Sequence, residues 1–254
     1  MSGNISLNPK KPDVVAHSAA DLNDICVAGI TPFTTIDFPG RLAGVFYLQG
    51  CPWRCRYCYN AEFWPMPPSG QKIPLEKILS YLDSRRGQLD GIVFSGGEPT
   101  IHERLPVWMA AVKTMGFEIG LHTGGMVPER LPLVLPLCHW VGLDIKAPFG
   151  AYEKVTQVTG SGDAVRRSAE LVLASGVDHE FRTTVHPAIL SERDILEMAR
   201  DLASMGCKRY ALQMFHPDHC SDKELCRNAV PGVSISMSLR NALAGIFAAF
   251  EVRE

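Results

Sequence analysis

The sequence predicts an α/β fold of about six strand–helix units around a parallel sheet. Short apolar runs rich in Val, Ile and Phe alternate with longer stretches of helical period, which is the pattern of βα units. At 254 residues, 46% of them hydrophobic, the chain can bury the core of one barrel-sized domain. Six units fall short of the eight that close a full barrel, as counted in (β/α)8 folds.

The order of the elements follows from these periods. The predicted strands are Ala43–Leu48, Gly91–Phe94, Glu118–Leu121, Trp140–Ile145, Glu180–Val185 and Arg209–Gln213. The predicted helices are Leu75–Ser84, Leu105–Met115, Pro128–Leu137, Ala164–Ala174, Arg193–Met205 and Ser234–Phe250. Residues 1–24 show little apolar periodicity, so we expect a flexible leader there and a single domain over residues 25–254.

Charge and hydropathy exclude several classes of function. The formal net charge is −2, without the basic stripe typical of proteins that bind nucleic acid. No apolar run approaches the ~20 residues of a membrane span, and the polar start lacks the order of a signal peptide. Eight cysteines, five of them scattered, are unlike the framework of a small secreted domain. We therefore expect a cytoplasmic protein in a reducing, oxygen-poor setting, with neither a nucleic acid nor a membrane as its partner.

Three cysteines lie close together directly after the first predicted strand, at Cys51, Cys55 and Cys58. Thiolates at such short spacing can surround one iron–sulfur cluster. Because a cubane has four irons, three thiolates leave one iron open for chemistry. A structural zinc loop or disulfides are the alternatives, although zinc loops normally close with a fourth Cys or His nearby and none follows soon after Cys58.

The cysteine segment resembles that of the radical S-adenosylmethionine (SAM) enzymes, including the aromatic Tyr57 before the last cysteine. The segment Thr35–Arg41 (TIDFPGR), then a strand, then Gln49–Cys51 and Cys58–Asn60, is similar to the opening of the activases that install glycyl radicals. It is most similar to the activating proteins of anaerobic ribonucleoside-triphosphate reductase. The similarity runs in order from about residue 28 to 220. This resemblance implies an open, partial (β/α)6 barrel.

The resemblance also implies the reaction and the partners. A flavodoxin or ferredoxin-type donor would reduce a [4Fe-4S] cluster bound by the three cysteines, and SAM chelated at the open iron would be cleaved to a 5′-deoxyadenosyl radical. That radical would remove a hydrogen atom from one glycine of a large glycyl-radical enzyme. Asp37 would face the incoming glycine loop, and a capping role before Pro39 and Gly40 is the alternative.

A glycine-rich turn, Ser95–Pro99, follows the second predicted strand. Its paired glycines allow a ligand close to the main chain, and its carbonyls and carboxylate suit a cationic amine. By resemblance, Gly96, Gly97 and Glu98 hold the amino group of SAM. By itself the sequence Gly-Gly-Glu-Pro is typical of an ordinary turn. Its place behind an apolar strand and after the cysteines favours the SAM interpretation.

Asp144 and Lys146 end the fourth predicted strand and point to the same face because they are two residues apart. A surface ion pair is the alternative. By resemblance, Asp144 helps to bind a monovalent cation next to SAM, and Lys146 contacts the SAM carboxylate. The sequence departs from the formate-lyase activase pattern at His122, where those proteins have an acidic residue, and a neutral imidazole contributes no negative charge.

The remaining candidates lie at the ends of other strands. Thr123 ends the third strand, Arg182 lies on the fifth, and His216 follows the sixth. An inward-pointing Arg needs an anion, which is either the SAM carboxylate or a core acid such as Glu98. By resemblance Tyr57, Asn60, Thr123, Arg182 and His216 line the SAM pocket. A second metal site at His216, His219, Cys220 and Cys226 matches no strong zinc pattern.

Three other functions remain open from the sequence. The chain could act on another glycyl-radical enzyme, or on a small molecule in the manner of the radical SAM synthase that forms a deazapurine. A zinc-binding interaction module is the alternative from another class. The segment between Cys58 and Ser95 contains no cysteine, so there is no ferredoxin-like insert of the kind that some glycyl-radical activases carry.

Overall fold

The computed structural model describes residues 22, 25–66, 72–218, 220, 222–227 and 235–253. Eight strands form one sheet in the order β1 to β8, with β1 and β8 at its two edges. β1 pairs with β2 in antiparallel fashion and every later pair is parallel. The strands are β1 (Val27–Thr34), β2 (Ala43–Leu48), β3 (Gly91–Gly96), β4 (Glu118–Thr123), β5 (Trp140–Asp144), β6 (Asp178–Val185), β7 (Arg209–Met214) and β8 (Ala249–Arg253).

Helices connect the parallel strands and cover the sheet. They are α1 (Leu75–Arg85), α2 (Leu105–Thr114), α3 (Leu131–Val134), α4 (Glu153–Thr156), α5 (Ser161–Ser175), α6 (Glu192–Ser204), α7 (Lys223–Arg227) and α8 (Met237–Ile246). Short 3₁₀ turns lie at Ala61–Phe63, Pro99–Ile101, Pro128–Arg130, Leu135–Leu137 and Phe149–Ala151. None of the described helices is long and apolar enough to cross a membrane.

The predicted α/β barrel-type fold is confirmed, and the six predicted strands are β2 to β7 of the parallel strands β2 to β8. Because these strands are buried almost continuously, their sequences are apolar runs that predict strands, as in Ile92–Phe94 of β3. The edge strand β1 has no predicted counterpart, because Gly29 and Pro32 interrupt its pattern. The structure thus has two edge strands, β1 and β8, that the sequence does not predict.

Two helix predictions are wrong in part. The predicted helix Ser234–Phe250 ends at Ile246, and Ala249–Arg253 forms β8 against β7. Ser234 itself lies outside the described residues. Over Pro128–Leu137 the chain forms only one α-helical turn between two 3₁₀ turns. The prolines of this stretch lack backbone N–H donors, which breaks the helical ladder into short pieces.

The end of the predicted leader touches the core at one described residue. Leu22 is buried, and its carbonyl oxygen accepts a hydrogen bond of 3.0 Å from Nε1 of the buried Trp108. The rest of the leader, residues 1–21, 23 and 24, lies outside the described residues, so its predicted flexibility stays a prediction.

Phe38, in the otherwise largely exposed turn between β1 and β2, packs inside the barrel near the amino ends of the strands. Phe38 from this turn stacks on Trp140 of β5 with ring centroids 6.0 Å apart. It also contacts Gly91 and Gly120, which open β3 and lie early in β4. This apolar packing occupies one end of the barrel, and the carboxyl ends of the parallel strands surround a cavity at the other.

Candidate active site

A cavity of about 490 Å³ lies at the carboxyl ends of the strands, a size typical of small-molecule and cofactor sites. Every residue that the sequence predicts for the site lines it. These residues are Asp37, Cys51, Cys55, Tyr57, Cys58, Asn60, Gly96, Gly97, Glu98, Thr123, Asp144, Lys146, Arg182 and His216. Residues that are far apart in the sequence therefore meet in one place, as parallel strands require.

The cysteine loop, which we define as Cys51–Asn60, follows β2 and is held by the main chain on both sides. The Cys51 N–H donates to the carbonyl oxygen of Trp64 at 3.3 Å. Arg54 and Arg56 donate their N–H groups to carbonyl oxygens of α4, at 3.0 and 3.3 Å. Within the loop, the Cys58 N–H donates to the Cys55 carbonyl oxygen at 3.1 Å. These bonds fix the backbone that carries the three thiols.

The three thiols of the loop are unpaired and largely shielded from solvent. Burial raises the pKa of Cys51 to about 12, with nearby Glu98 adding to the shift. Burial likewise raises the pKa of Cys55 to about 11, partly offset by Lys146, and raises the pKa of Cys58. A buried thiolate needs a positive partner, so these groups would lose their protons on binding a metal.

The glycine turn after β3 packs directly on the cysteine loop. A Cβ atom at Gly97 would lie 2.2 Å from the carbonyl oxygen of Gly50, so no larger residue fits there. The Glu98 N–H donates to the same carbonyl oxygen at 2.8 Å. Asn60, at the end of the loop, reaches the Gly96 carbonyl oxygen through Nδ2 at 3.5 Å. The turn and the loop therefore form one wall of the cavity.

The Glu98 carboxylate is buried and engaged by protein donors. Oε1 accepts from the Thr100 hydroxyl at 2.6 Å, the Thr100 N–H at 3.0 Å and the Thr123 hydroxyl at 2.6 Å. Oε2 accepts from the Gly124 N–H at 2.8 Å. Glu98 thus ties β3 to β4. An amine bound at this turn would rely mainly on main-chain carbonyls rather than on the carboxylate that the sequence suggests.

Two cations share the carboxylate of Asp144 inside the cavity. Arg182 donates to Oδ1 from Nε at 3.1 Å and from Nη2 at 3.0 Å, and Lys146 donates to Oδ2 at 3.2 Å. Burial alone would raise the pKa of Asp144, but Lys146 and Arg182 hold it at about 2. Two cations and one carboxylate leave one positive charge in surplus. This surplus suits an anionic group of a ligand.

The contacts of Asp144 bear on two questions that the sequence leaves open, whether Asp144 and Lys146 form a surface ion pair and which acid pairs with Arg182. The Asp144–Lys146 pair is not on the open surface, since both residues line the cavity and the Lys146 side chain is only 13% exposed. Arg182 pairs with Asp144 rather than with Glu98. Room for its guanidinium comes from Gly142, where a Cβ atom would lie 2.7 Å from the Arg182 Cζ atom.

Tyr57 contributes an unusual group to the cavity wall. Its hydroxyl is buried and makes no hydrogen bond with any described residue. The Lys146 ammonium lies 5.8 Å from the centroid of its ring, which is a cation–π contact. A buried hydroxyl without a partner is costly, and a ligand that reached this atom would relieve that cost.

His122 and Asp37 meet across the barrel. The His122 Nε2–H donates to the Asp37 carbonyl oxygen at 2.8 Å, and Nε2 lies 3.4 Å from Arg182 Nη1. Burial and Arg182 lower the pKa of His122 to about 4, so the imidazole is neutral at pH 7. The Asp37 carboxylate accepts from the Thr34 hydroxyl at 2.6 Å while the residue also lines the cavity. The turn-stabilising role and the position at the cavity therefore coexist.

Several cavity residues have no counterpart in the sequence prediction. Trp53, Tyr59 and Trp64 lie in or after the cysteine loop, and Arg253 comes from β8. Arg253 binds both carboxylate oxygens of the buried Glu180 at 2.8 Å. The alternation of apolar and charged residues in the last five described positions was the available signal for a strand there.

A known protein family matches most of the part of the chain that forms this cavity. The profile of the Radical SAM superfamily matches residues 45–202, from β2 into α6. The chain belongs to the radical SAM superfamily. The matched region contains the cysteine loop, the glycine turn and the Asp144 group, so the family match and the cavity involve the same residues. Members of this superfamily use a [4Fe-4S] cluster and SAM.

Proteins of similar sequence indicate which type of radical SAM enzyme this chain is. A Methanocaldococcus jannaschii protein named for glycyl-radical enzyme activation is 30% identical over 212 residues, 81% of this chain and 86% of its own length. The pyruvate formate-lyase 1-activating enzyme of Escherichia coli is 30% identical over 120 residues, 44% of this chain and 48% of that protein. The chain is thus a radical SAM enzyme of the glycyl-radical-enzyme activating type.

A solved structure supports the fold independently. QueE from Escherichia coli matches with a TM-score of 0.52 at 19% identity, covering 93% of this chain and 99% of that one. At this level of identity the match concerns the fold alone. The open sheet of mostly parallel strands is therefore a fold that this chain shares with QueE.

The donors in the cavity fit the cluster that radical SAM chemistry requires. Three free thiols line one cavity, together with Tyr57, whose hydroxyl has no hydrogen-bond partner among the described residues, and with the surplus positive charge at Asp144. Within the described part of the chain, no group of three His, Cys, Asp or Glu side chains gathers as the ligand set of a single metal ion. In a cubane each cysteine binds its own iron. Of the suggested second metal set, His219 lies outside the described residues.

A monovalent cation, by contrast, does not fit beside Asp144. Both carboxylate oxygens already face a fixed cation at 3.0 to 3.2 Å. His122, in the place of an acidic residue, is neutral and presents an N–H rather than an acceptor. A further cation would be repelled by Arg182 and Lys146 and would find no extra negative charge.

We expect SAM affinity to be independent of alkali cations, because Arg182 and Lys146 already balance Asp144. Calorimetric titration of the reconstituted protein in potassium, sodium and tetramethylammonium buffers of equal ionic strength measures this. His122→Asp is the comparison variant, in which we expect affinity and melting temperature to rise with potassium. A wild-type affinity that falls when alkali cations are removed would show that a cation does bind here.

Proposed function

We propose that this radical SAM enzyme installs a glycyl radical on anaerobic ribonucleoside-triphosphate reductase, using an electron from a flavodoxin or ferredoxin-type donor. The observation that carries the proposal is the meeting of Asp37 with the cysteine loop, the glycine turn and the Asp144 group in one cavity. The TIDFPGR segment around Asp37, with the cysteine motifs that follow it, resembles the opening of glycyl-radical activases, and the resemblance is greatest to those of this reductase. Residues 25–254 would act as one domain in the cytoplasm.

Each part of the cavity has a role in this proposal. Cys51, Cys55 and Cys58 would hold the [4Fe-4S] cluster and leave one iron for SAM. When bound, cluster and SAM supply a carbon radical strong enough to remove a hydrogen atom from a glycine. The main-chain carbonyls of the glycine turn would receive the SAM amine, and the surplus positive charge of Arg182 and Lys146 would receive its carboxylate.

The remaining predicted residues would complete the cofactor pocket. The Tyr57 hydroxyl, which has no hydrogen-bond partner among the described residues, would donate to SAM. Asn60, Thr123 and His216 line the same cavity as Tyr57. The backbone N–H of His216 donates to the Tyr59 hydroxyl at 2.9 Å, which holds this part of the wall against the cysteine loop. These contacts would orient SAM and exclude water from the reacting atoms.

The partner glycine would enter beside the turn between β1 and β2. Ile36 lines the cavity yet is 84% exposed, and Phe33 is also exposed on the preceding strand. Exposed apolar side chains beside a polar cavity are typical of a surface that receives another protein. Asp37 lies next to Ile36 and could accept a hydrogen bond from the backbone of the incoming loop.

Two further functions follow from particular observations. The likeness to the formate-lyase activase of E. coli makes another glycyl-radical enzyme the second candidate partner. A cavity of about 490 Å³ could also admit a small-molecule substrate beside SAM. The zinc-module alternative is set aside by the family match.

Electron paramagnetic resonance distinguishes these functions. The reduced protein, reconstituted with iron and sulfide, is incubated anaerobically with SAM and either an anaerobic ribonucleotide reductase or a formate lyase from the same cell. We expect a stable glycyl doublet with the reductase, and none when its radical glycine is replaced by alanine. A doublet only with the formate lyase would change the partner, and SAM turnover without any protein radical would favour a small-molecule substrate.

A further inference from the structure

The segment after β7 is clamped onto the cysteine loop. Arg56 donates to the carboxylate of Asp222 at 3.0 Å and to that of Glu224 at 3.1 Å. The Tyr59 hydroxyl accepts from the His216 N–H at 2.9 Å. We call these five residues the loop clamp. Because Arg56 lies between two of the cluster cysteines, the clamp connects this segment to the backbone that carries them.

Two thiols lie within this segment, and neither lines the cavity. The Cys220 thiol lies 3.6 Å from the carbonyl oxygen of Arg56 and donates to it. The Cys226 thiol donates to carbonyl oxygens of Cys220 at 3.4 Å and Pro217 at 3.5 Å. Both cysteines are unpaired and partly exposed. Burial raises the pKa of Cys220 to about 11, and the adjacent Cys226 thiol adds to the shift.

The local backbone brings the two cysteines together. Oδ1 of Asp222 accepts from the N–H groups of Glu224 and Leu225 at 3.0 and 3.1 Å and so caps α7. The Cys226 N–H then donates to the Asp222 carbonyl oxygen at 3.0 Å. Cys226 is thereby held on α7 with its sulfur 3.4 Å from the Cys220 carbonyl oxygen, and the two thiols are close enough to form a side-chain hydrogen bond with each other.

We propose that Cys220 and Cys226 form a thiol–disulfide switch that controls how the cysteine loop is seated. The oxidant is a disulfide of a small thiol or of a redox protein. One cysteine thiolate attacks it and forms a mixed disulfide with release of one thiol, and the second cysteine then displaces the other. Cys220 and Cys226 together lose two electrons and two protons, and the oxidant leaves as two thiols.

Oxidation would act on the loop through the Arg56 carbonyl. A disulfide has no S–H group, so Cys220 could no longer donate to this oxygen. The Arg56 carbonyl follows Cys55 directly in the chain. Loss of this bond removes one further contact, beside the loop clamp, that holds this segment against the backbone of the cluster ligands. This regulation adds to the proposed function and does not depend on which glycyl-radical enzyme is the partner.

Peptide mapping and hydrogen exchange test the switch on the reconstituted protein. The protein is equilibrated anaerobically with oxidised or reduced glutathione, alkylated and digested, and amide exchange is followed over Arg54–Asn60. We expect a Cys220–Cys226 disulfide with oxidised glutathione and about twofold faster exchange in the loop, because an S–H group is a weak donor whose bond contributes about 0.5 kcal/mol. Cys220→Ser, whose hydroxyl can still donate to the Arg56 carbonyl oxygen but cannot form a disulfide, should abolish the oxidant effect, whereas Cys138→Ser, at a buried thiol elsewhere, should retain it.

Each other outcome overturns the proposal. If Cys220 and Cys226 remain thiols at every ratio of oxidised to reduced glutathione, they are not a redox pair. If the disulfide forms without a change in loop exchange, it does not control the loop. If equimolar zinc binds in the wild type and is lost in Cys226→Ser, the two thiols are metal ligands instead. Disulfide formation and amide exchange are both measured first on the wild-type protein. The proposal can therefore be tested even if a variant fails to fold.

Discussion

Cys51→Ala, Cys55→Ala and Cys58→Ala should each lose the iron–sulfur cluster completely. The three thiols are the only cysteines that line the cavity within the described residues, and each would bind a different iron. Loss of one ligand would leave a second iron without a protein donor. Iron and sulfide content after anaerobic reconstitution, together with the visible absorption of the cluster, measures the effect.

Two buried thiols outside the site provide matched controls. Cys138→Ala and Cys207→Ala remove a buried sulfur of the same size and leave the cysteine loop untouched. We expect normal iron content in both. Iron loss in Cys138→Ala, or a catalytically active cluster retained in Cys55→Ala, would overturn the assignment of the ligands.

Arg182→Met and Lys146→Met should weaken SAM binding strongly while the cluster stays in place. Either substitution removes the surplus positive charge that we assign to the SAM carboxylate. A hydrogen bond to a charged group contributes about 1.5–3 kcal/mol, so the loss in affinity is roughly 10- to 150-fold. Calorimetric titration with SAM measures the affinity, and iron content shows that the cluster is intact.

Arg130→Met is the control for the charge change itself. Arg130 pairs with Glu103 at 2.9 Å, away from the cavity residues, so its loss should leave SAM affinity unchanged. We expect the loss of SAM affinity only when Arg182 or Lys146, the two cations that contact Asp144, is replaced. Unchanged affinity in both Arg182→Met and Lys146→Met would show that SAM is held by other residues.

The parallel core, and the meeting of the candidate site residues in one cavity, were predictable because both depend on local patterns. Strands buried on both faces read as apolar runs, and the residues at their carboxyl ends converge in any parallel barrel. The three cysteines and the glycine turn form short motifs whose chemistry follows from their spacing. The structure brings all of these to one cavity, as the resemblance implied.

Features that depend on distant partners were not predictable. The stretch Ala249–Arg253 carries a short alternation in residues that are also compatible with a helix, and pairing with β7 decides for the strand that delivers Arg253 to the cavity. The engagement of the Glu98 carboxylate depends on Thr123 and Gly124 of the next strand. The depressed pKa of His122 arises from burial and from Arg182, which is sixty residues away in the chain.

Transfer of deuterium from the partner tests the central claim most directly. The anaerobic ribonucleotide reductase of the same cell is produced with glycine deuterated at Cα and mixed with reduced activase and SAM in the absence of oxygen. If this chain removes a hydrogen atom from that glycine, the 5′-deoxyadenosine formed from SAM carries deuterium in proportion to the glycyl doublet. Deuterium-free 5′-deoxyadenosine accompanying full SAM cleavage would contradict the account.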